Sequence, residues 1–198
     1  MIDTLRIAGV YRESIVDGPG LRFAIFCQGC SHECEGCHNP ETWDFNGGYD
    51  CSFEKLLNAI DENPLLDGVT FSGGDPIYQA EAFYYFSKEL KKRNLNILIY
   101  TGFTFEELLE LEDPFVLKLL SLTDTLIDGK FRLDERDLSL LFRGSKNQRI
   151  IDVQKSLKEG KVLLDERYMV WYNALCSIVD SYGNYAISLE YKGGTRSG

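Results

Sequence analysis

Four short apolar segments alternate with helical segments in this chain, and this alternation constrains its fold more than any other feature. The segments run from Leu21 to Cys27, from Gly68 to Ser72, from Asn96 to Tyr100 and from Thr125 to Asp128. The third is a nearly continuous apolar run, as is typical of a strand buried on both faces. Strands that alternate with helices form βαβ units, so the sequence predicts an α/β fold with a parallel sheet.

Capping signals predict the helices between these strands. Ser52 is placed to cap a helix of about ten residues, and the segment from Tyr78 to Asn94 has the apolar periodicity of a long amphipathic helix. Thr104 and Glu107 have the spacing of a capping box, and Asp113 precedes a proline that suits a first helical position. Two short helices are therefore expected between residues 105 and 122.

The chain has weaker signals after residue 138. A helix is predicted near Asp152 to Glu159, and apolar runs at 168–179 and 185–191 predict an antiparallel hairpin, whose first strand is alternatively partly helical. We expect residues 1–157 to form the main domain and residues 158–198 to form a small C-terminal extension packed on it. This extension either covers an edge of the core or contacts a partner protein.

Composition excludes several classes of protein. The chain has 198 residues, 44% of them apolar, and a formal net charge of −10. This acidity argues against binding to nucleic acid or to anionic membranes, because both need a basic surface. No apolar run approaches the roughly 18 residues of a membrane-spanning helix, and the N-terminus lacks the basic start of a signal peptide. We therefore expect a cytoplasmic protein, whose six cysteines favour metal binding over disulfides.

Three of the cysteines, Cys30, Cys34 and Cys37, follow the first predicted strand in a C-x3-C-x2-C spacing, and we call residues 30–37 the cysteine loop. Their thiols are expected at the C-terminal end of that strand, where ligands bind in parallel α/β sheets. A 4Fe-4S cluster takes four protein ligands when it only carries electrons. Three thiolates leave one iron with an open position, which suits the binding of a substrate.

A zinc site is the alternative for this loop. Cys27 extends the spacing to C-x2-C-x3-C-x2-C, and His32 and His38 are the two histidines of the chain. Zinc sites usually separate their two cysteine pairs by about a dozen residues or more, whereas three residues separate them here. Cys27 also belongs to the apolar strand, so we interpret it as a buried thiol rather than a ligand. Cys51 and Cys176 are interpreted in the same way.

The other three strands also end in residues suited to ligand binding. Gly73, Gly74 and Asp75 follow the second strand, Thr101 and Gly102 follow the third, and Asp128 and Lys130 follow the fourth. Glycine lets a backbone approach a ligand closely, although glycines at strand ends also simply permit turns. The last two residues form either a polar pair that faces a ligand or a surface ion pair. We call residues 73–76 the glycine loop.

The full set of motifs resembles one family. The motifs are Asp17-Gly-Pro-Gly-Leu-Arg22, the segment from Cys30 to Asn39, Trp43, Gly73-Gly-Asp-Pro76, Tyr100-Thr-Gly102, Asp128-Gly-Lys-Phe131 and Arg143-Gly-Ser-Lys-Asn-Gln148. With them the chain resembles the anaerobic ribonucleoside-triphosphate reductase activating proteins of the radical S-adenosylmethionine (SAM) superfamily, over roughly residues 10 to 157. The resemblance, in a chain shorter than the roughly 250 residues of a complete barrel, implies a partial (β/α) TIM-like barrel.

The resemblance implies that the three thiolates hold a 4Fe-4S cluster, with the amine and carboxylate of SAM on the fourth iron. An electron from the cluster would then cleave SAM to methionine and a 5′-deoxyadenosyl radical. The residues implied to bind the cofactor are Gly36, Cys37, His38, Gly73, Gly74, Asp75, Thr101, Asp128 and Lys130. Gly36 stands where many radical SAM proteins have an aromatic residue.

Individual roles follow from the same resemblance. The carbonyls of the glycine loop would accept from the SAM amine, Asp75 would hold that loop, and the His38 backbone would approach the adenine. Asp128 and Lys130 would face the SAM carboxylate and ribose. A last set of residues either lines the far side of the cofactor or ties down a loop: Arg143, Ser145, Asn147 and Gln148.

The resemblance also implies a protein substrate. This would be a glycine in the C-terminal region of the anaerobic ribonucleoside-triphosphate reductase, converted to a glycyl radical with electrons from a flavodoxin- or ferredoxin-type donor. One alternative is an activase of another glycyl radical enzyme, such as pyruvate formate-lyase. Others are a radical SAM enzyme that acts on a small molecule, and a non-catalytic iron–sulfur or zinc module.

Overall fold

A computed structural model describes residues 2–166 and 168 of the chain. The chain divides into two compact units, Met1–Asp165 and Glu166–Gly198, and the elements given below belong to the first. Apart from its first residue, the hairpin predicted between residues 168 and 191 lies outside the described residues. The predicted boundary of the main domain at residue 157 stays a prediction.

The first unit combines a sheet with helices. Its strands are β1 (Thr4–Ser14), β2 (Arg22–Cys27), β3 (Tyr49–Ser52), β4 (Gly68–Gly73), β5 (Asn96–Tyr100), β6 (Thr125–Asp128) and β7 (Arg149–Asp152). Its α-helices are α1 (Phe53–Asp61), α2 (Ala80–Lys92), α3 (Phe105–Glu110), α4 (Pro114–Leu120) and α5 (Val153–Glu159). In the part of the chain that the structure describes, no helix has the length and apolar character needed to cross a bilayer.

The strands form one open sheet in the order β3-β1-β2-β4-β5-β6-β7. β2, β4, β5 and β6 are parallel neighbours, whereas β1, β3 and β7 extend the sheet by antiparallel pairing. The four parallel strands are those that the sequence predicts, so the α/β class and the parallel sheet are confirmed. The predicted barrel is not confirmed, because the sheet is open, with β3 and β7 at its edges.

The sequence does not predict β1, β3 and β7, for physical reasons. In β1, the pairing with β2 is irregular between Ile7 and Gly9, so the alternation of buried and exposed side chains is interrupted. β3 and β7 have four residues each, which is too short for a periodic pattern to stand out.

The predicted helix starts agree with the structure. Ser52 caps α1, the Thr104 capping box begins α3, and Asp113 caps α4, each by accepting a backbone amide. The helix predicted from Tyr78 begins later, because Pro76–Gln79 forms a 3-10 turn before α2.

The two faces of the sheet have different environments. In β4, Val69 and Phe71 lie in the hydrophobic core, and the Phe71 ring packs 4.5 Å from that of Phe83 on α2. Thr70 and Ser72 point to the opposite face, because successive residues of a strand alternate in direction. The helices therefore cover one face, and the other face carries buried polar groups at one end and a cavity at the other.

Arg22 is buried on this second face, with 1% of its surface exposed. Its guanidinium donates to the Thr70 hydroxyl at 2.6 Å and to the backbone oxygens of Val69 and Asn96 at 2.7 and 3.2 Å. It also donates to the backbone oxygen of Pro19 in the turn before β2. Because a buried cation is costly unless its donors are satisfied, these bonds hold β2, β4 and β5 together at their N-terminal ends.

We expect Arg22→Ala to lower the free energy of unfolding by about 3 kcal/mol, because acceptors on two strands lose their buried donor. Arg12→Ala is the matched control, since Arg12 makes an exposed ion pair with Glu62 whose loss should cost less than about 1 kcal/mol. Urea denaturation followed by circular dichroism measures both changes. Similar losses in the two variants would contradict the role given to Arg22.

Candidate functional site

The C-terminal ends of β2, β4, β5 and β6 surround a cavity of about 600 Å³. The predicted site residues that line it are Cys30, Cys34, Cys37, His38, Gly73, Gly74 and Thr101. The fold brings them together because the loops after neighbouring parallel strands all start at the same edge of the sheet. Four other predicted residues, all within the described part of the chain, lie outside the lining: Gly36, Asp75, Asp128 and Lys130.

Each of the three cysteine sulfurs accepts a hydrogen bond from a backbone amide. The amide of His32 donates to Cys30, that of Phe131 to Cys34, and that of Asn39 to Cys37 at 3.4 Å. Burial raises the pKa of the Cys30 thiol to about 11 and also raises the pKa of Cys34, whereas the amides act to lower both. These thiols must therefore lose a proton to bind a metal, and the amides stabilise the resulting thiolates.

The three thiols have the number and placement that a 4Fe-4S cluster with one open iron requires. Among the described residues, no three His, Cys, Asp or Glu side chains converge closely enough to hold one metal ion, as a zinc site requires. A 4Fe-4S cluster takes one thiolate per iron, so its ligands lie around the cluster rather than around one point. Three half-buried thiols around one cavity meet this requirement.

Cys27 is separate from the cavity. Its side chain is fully buried in the hydrophobic core at the end of β2, and this burial raises the pKa of the thiol well above its usual value. Cys51 also lies in the core. The interpretation of Cys27 and Cys51 as buried thiols is confirmed, and Cys176 lies outside the described residues.

Gly73 and Gly74 lie against the backbone that leads into the cysteine loop. The Gly74 amide donates to the Cys27 carbonyl at 2.9 Å. A β-carbon on Gly74 would lie 2.5 Å from the Gly29 oxygen, and one on Gly73, whose φ is +89°, would lie 2.7 Å from the α-carbon of Phe26. The glycines thus admit a neighbouring backbone, and their predicted contact with a cofactor amine stays a prediction.

The Asp75 carboxylate is buried and accepts four hydrogen bonds. The Ile77 amide donates to Oδ1 at 3.0 Å. Oδ2 accepts from the Thr101 hydroxyl at 2.8 Å, the Gly102 amide at 2.9 Å and His32 Nε2 at 2.7 Å. Since a carboxylate has about four acceptor sites, the protein itself saturates this one. Asp75 therefore joins the loops after β2, β4 and β5 instead of facing the cavity.

Asp128 is also engaged by the protein. Its carboxylate accepts from the Phe105 amide at 2.8 Å and pairs with Arg149, which pairs in turn with Glu106. These bonds raise the pKa of Arg149 and lower that of Glu106. The Lys130 side chain is exposed. The predicted contacts of Asp128 and Lys130 with a cofactor carboxylate and ribose are not supported by these positions.

The segment from Arg143 to Gln148 folds on itself and on the backbone after β6. Gln148 Oε1 accepts from the amides of Gly144 and Ser145, and its Nε2 donates to a backbone oxygen after β6. Asn147 makes a similar bond to that backbone. Asn147 and Gln148 therefore tie down the loop, while Arg143 and Gln148 line the cavity.

Sequence reasoning misses several side chains of the lining. Phe26, Ser72 and Tyr100 come from β2, β4 and β5, and counting in steps of two along each strand could have assigned them to the face opposite the core. Ile15 and Val16 line the cavity and are 73% and 72% exposed. They lie in a loop with no periodic signal, so the sequence offered no means of finding them.

Among solved structures, the crystal structure of QueE from Escherichia coli has a TM-score of 0.40 to this chain, at 20% sequence identity. The alignment covers 50% of this chain and 52% of that one. This likeness is too weak to support a conclusion.

Sequence comparisons give a stronger result. The family model described as a 4Fe-4S single cluster domain matches residues 16–151. The anaerobic ribonucleoside-triphosphate reductase-activating protein of Haemophilus influenzae is 34% identical over 146 residues, which cover 70% of this chain and 92% of that protein. Proteins of the same name from Pasteurella multocida and Enterobacteria phage T4 are 36% and 35% identical, covering 91% and 90% of their own lengths and 70% and 71% of this chain. This chain therefore belongs to the family of anaerobic ribonucleoside-triphosphate reductase-activating proteins.

Proposed function

We propose that this chain activates an anaerobic ribonucleoside-triphosphate reductase by forming a glycyl radical on it, with a 4Fe-4S cluster and SAM as cofactors. The observation that carries the proposal is the cavity at the strand ends, where three half-buried thiols, each with a backbone amide, lie beside the glycine loop. The named relatives and the 4Fe-4S family model support the partner and the cluster.

When bound, the cluster and SAM would supply one-electron chemistry, namely reductive cleavage of SAM and removal of a hydrogen atom from the partner's glycine. The chain has to hold and orient these groups. The three cysteines of the cysteine loop would bind three irons and leave the fourth for SAM. The carbonyls of the glycine loop would accept from the SAM amine.

Arg143 is the cationic side chain in the described lining of the cavity. A guanidinium matches a carboxylate in shape and charge, so Arg143 would take the carboxylate contact that was predicted for the pair Asp128 and Lys130. Phe26, Trp43 and Phe131 supply apolar walls. Such walls exclude water, which would compete for the charged ends of SAM.

The rim of the cavity suits a protein substrate. Ile15 and Val16 expose most of their surface beside the cavity, and exposed apolar patches mark surfaces that bind other proteins. A flavodoxin- or ferredoxin-type donor would supply the electron. Activation of a pyruvate formate-lyase type enzyme would use the same site, so experiment must separate the two partners.

A non-catalytic cluster module would need a fourth protein ligand. Cys27 is the candidate by spacing, but its sulfur lies in the hydrophobic core, outside the cavity. The buried position of Cys27 therefore favours an open iron.

We expect Cys30→Ala, Cys34→Ala and Cys37→Ala each to reduce SAM cleavage by about 100-fold or more, because each removes a cluster ligand. Cys27→Ala is the matched control, and it should keep both the cluster and the cleavage. The measurements are iron and sulfide content after anaerobic reconstitution and 5′-deoxyadenosine release after reduction. Loss of cleavage in Cys27→Ala, with the three loop variants still active, would refute the assignment.

Gly74→Ala is expected to lower cluster content and SAM affinity, because its β-carbon would push the Gly29 backbone, and with it the cysteine loop, out of place. Gly9→Ala is the control, since a β-carbon there meets nothing within 4 Å. Iron analysis and equilibrium dialysis with SAM measure the two effects. Equal behaviour of the two variants would show that the close backbone contact is not required.

Mixing the reduced protein and SAM with the anaerobic reductase should produce a glycyl radical signal in electron paramagnetic resonance. A pyruvate formate-lyase type enzyme under the same conditions should give no signal. The reverse result would assign the activase to the other partner. If SAM is cleaved but neither protein gains a radical, a small-molecule substrate becomes the better proposal.

A further inference from the structure

We propose that His32 and Asp75 form a positioning pair, whose hydrogen bond fixes the cysteine loop against the glycine loop. The pair would thereby fix the position of the cluster's open iron relative to the site that binds the SAM amine. This inference rests on the proposed function, because it concerns the relative placement of the two cofactors. Its basis is the set of contacts around the His32 ring.

The His32 ring is held on several sides. Its side chain is 7% exposed, and Nε2 lies 2.7 Å from Oδ2 of Asp75. The Phe103 ring meets it edge-on, with centroids 4.6 Å apart. A β-carbon on Gly102 would lie 2.4 Å from His32 Cδ2, so the ring rests directly on the glycine backbone. The ring therefore cannot turn without breaking the hydrogen bond.

The cysteine loop depends on such ties because it contains no helix or strand. One side-chain tie is the contact between the hydroxyls of Ser31 and Tyr78, which is exposed to water. The tie from His32 to Asp75 is buried, where hydrogen bonds are stronger because water does not compete. Both ties hold the cysteine loop to residues 75–78, a segment that overlaps the end of the glycine loop.

Asp75 makes this tie separable from folding. If His32 loses its donor, Asp75 still accepts from the Ile77 amide, the Thr101 hydroxyl and the Gly102 amide. The glycine loop should then keep its conformation while the cysteine loop is released. His32 is therefore the residue to change, because changing Asp75 would disturb all the loops that it joins.

A small displacement of the cysteine loop should have a large chemical effect. Reactions between bound groups lose about 100-fold in rate when one group is misplaced by roughly 1 Å. A substitution at His32 leaves the three cysteine ligands of the cluster unchanged. The cluster should thus still assemble, and the defect should appear in its contact with SAM.

The test compares two variants. His32→Leu replaces the ring by an apolar side chain that has no hydrogen-bond donor, whereas His32→Gln keeps a donor on a side chain of similar reach. Glu35→Gln is the control, since it alters an exposed side chain of the same loop. The readouts are iron content, the dissociation constant for SAM, and the paramagnetic resonance spectrum of the reduced cluster with and without SAM.

We expect His32→Leu to hold as much iron as the wild type, to bind SAM roughly 10- to 100-fold more weakly, and to lose the spectral change caused by SAM. His32→Gln should recover most of both signals, and Glu35→Gln should match the wild type. If His32→Leu loses its iron while His32→Gln keeps iron and SAM binding, the hydrogen bond still carries the effect and the proposal is supported.

Two results would overturn the proposal. Wild-type SAM binding and an unaltered spectral response in His32→Leu would show that the tie is dispensable. Loss of iron from both His32 variants would show that the ring holds the cluster itself. If SAM does not change the cluster spectrum of the wild-type protein, the proposed function itself is contradicted. The wild-type measurement therefore distinguishes a failure of the proposed function from a failure of the positioning pair.

Discussion

The close backbone contact between the glycine loop and the segment leading into the cysteine loop is the constraint on which the site depends. Gly73 is paired with Cys27 across the parallel strands β4 and β2, and a β-carbon on Gly73 or Gly74 would collide with that backbone. Because the two backbones touch, the thiols after β2 and the carbonyls after β4 share one cavity. Groups held by the two loops would then be bound side by side at one edge of the sheet.

The parts of the fold that the sequence predicts are those whose local pattern carries enough information. β2, β5 and β6 have apolar residues on both faces, β4 has them on its core face, and helical segments separate the four strands along the chain. β1 is longer, but its irregular pairing hides its period, and the short edge strands carry no pattern. The expected partial barrel is not confirmed for a different reason: the curvature of a sheet depends on strand tilt and stagger, which the apolar pattern of single strands does not encode.

The same distinction applies to the site. The cysteines and glycines could be predicted because spacing and the lack of a side chain are local properties. The side chain of Asp128 could not, because its direction is set by Arg149 on β7, a strand that the sequence does not reveal. Asp75 was correctly predicted to hold its loop, but its bond to His32 spans 43 positions along the chain. Contacts of this kind follow from tertiary packing alone.

Arg22 and Asp75 are buried charged side chains at opposite ends of the parallel strands, and both make hydrogen bonds that link neighbouring strands or loops. Each is a charged side chain with 1% of its surface exposed, and each would be costly unless its hydrogen bonds were satisfied. At the N-terminal ends of the strands, Arg22 donates to groups on β4 and β5. At the C-terminal ends, Asp75 accepts from the loop after β5 and from the cysteine loop. Since both ends are held by buried polar networks, the ends of the strands keep their relative positions although the sheet is open at β3 and β7. An open sheet can then present a bound cofactor to a partner protein and still keep the cofactor's ligands in fixed positions.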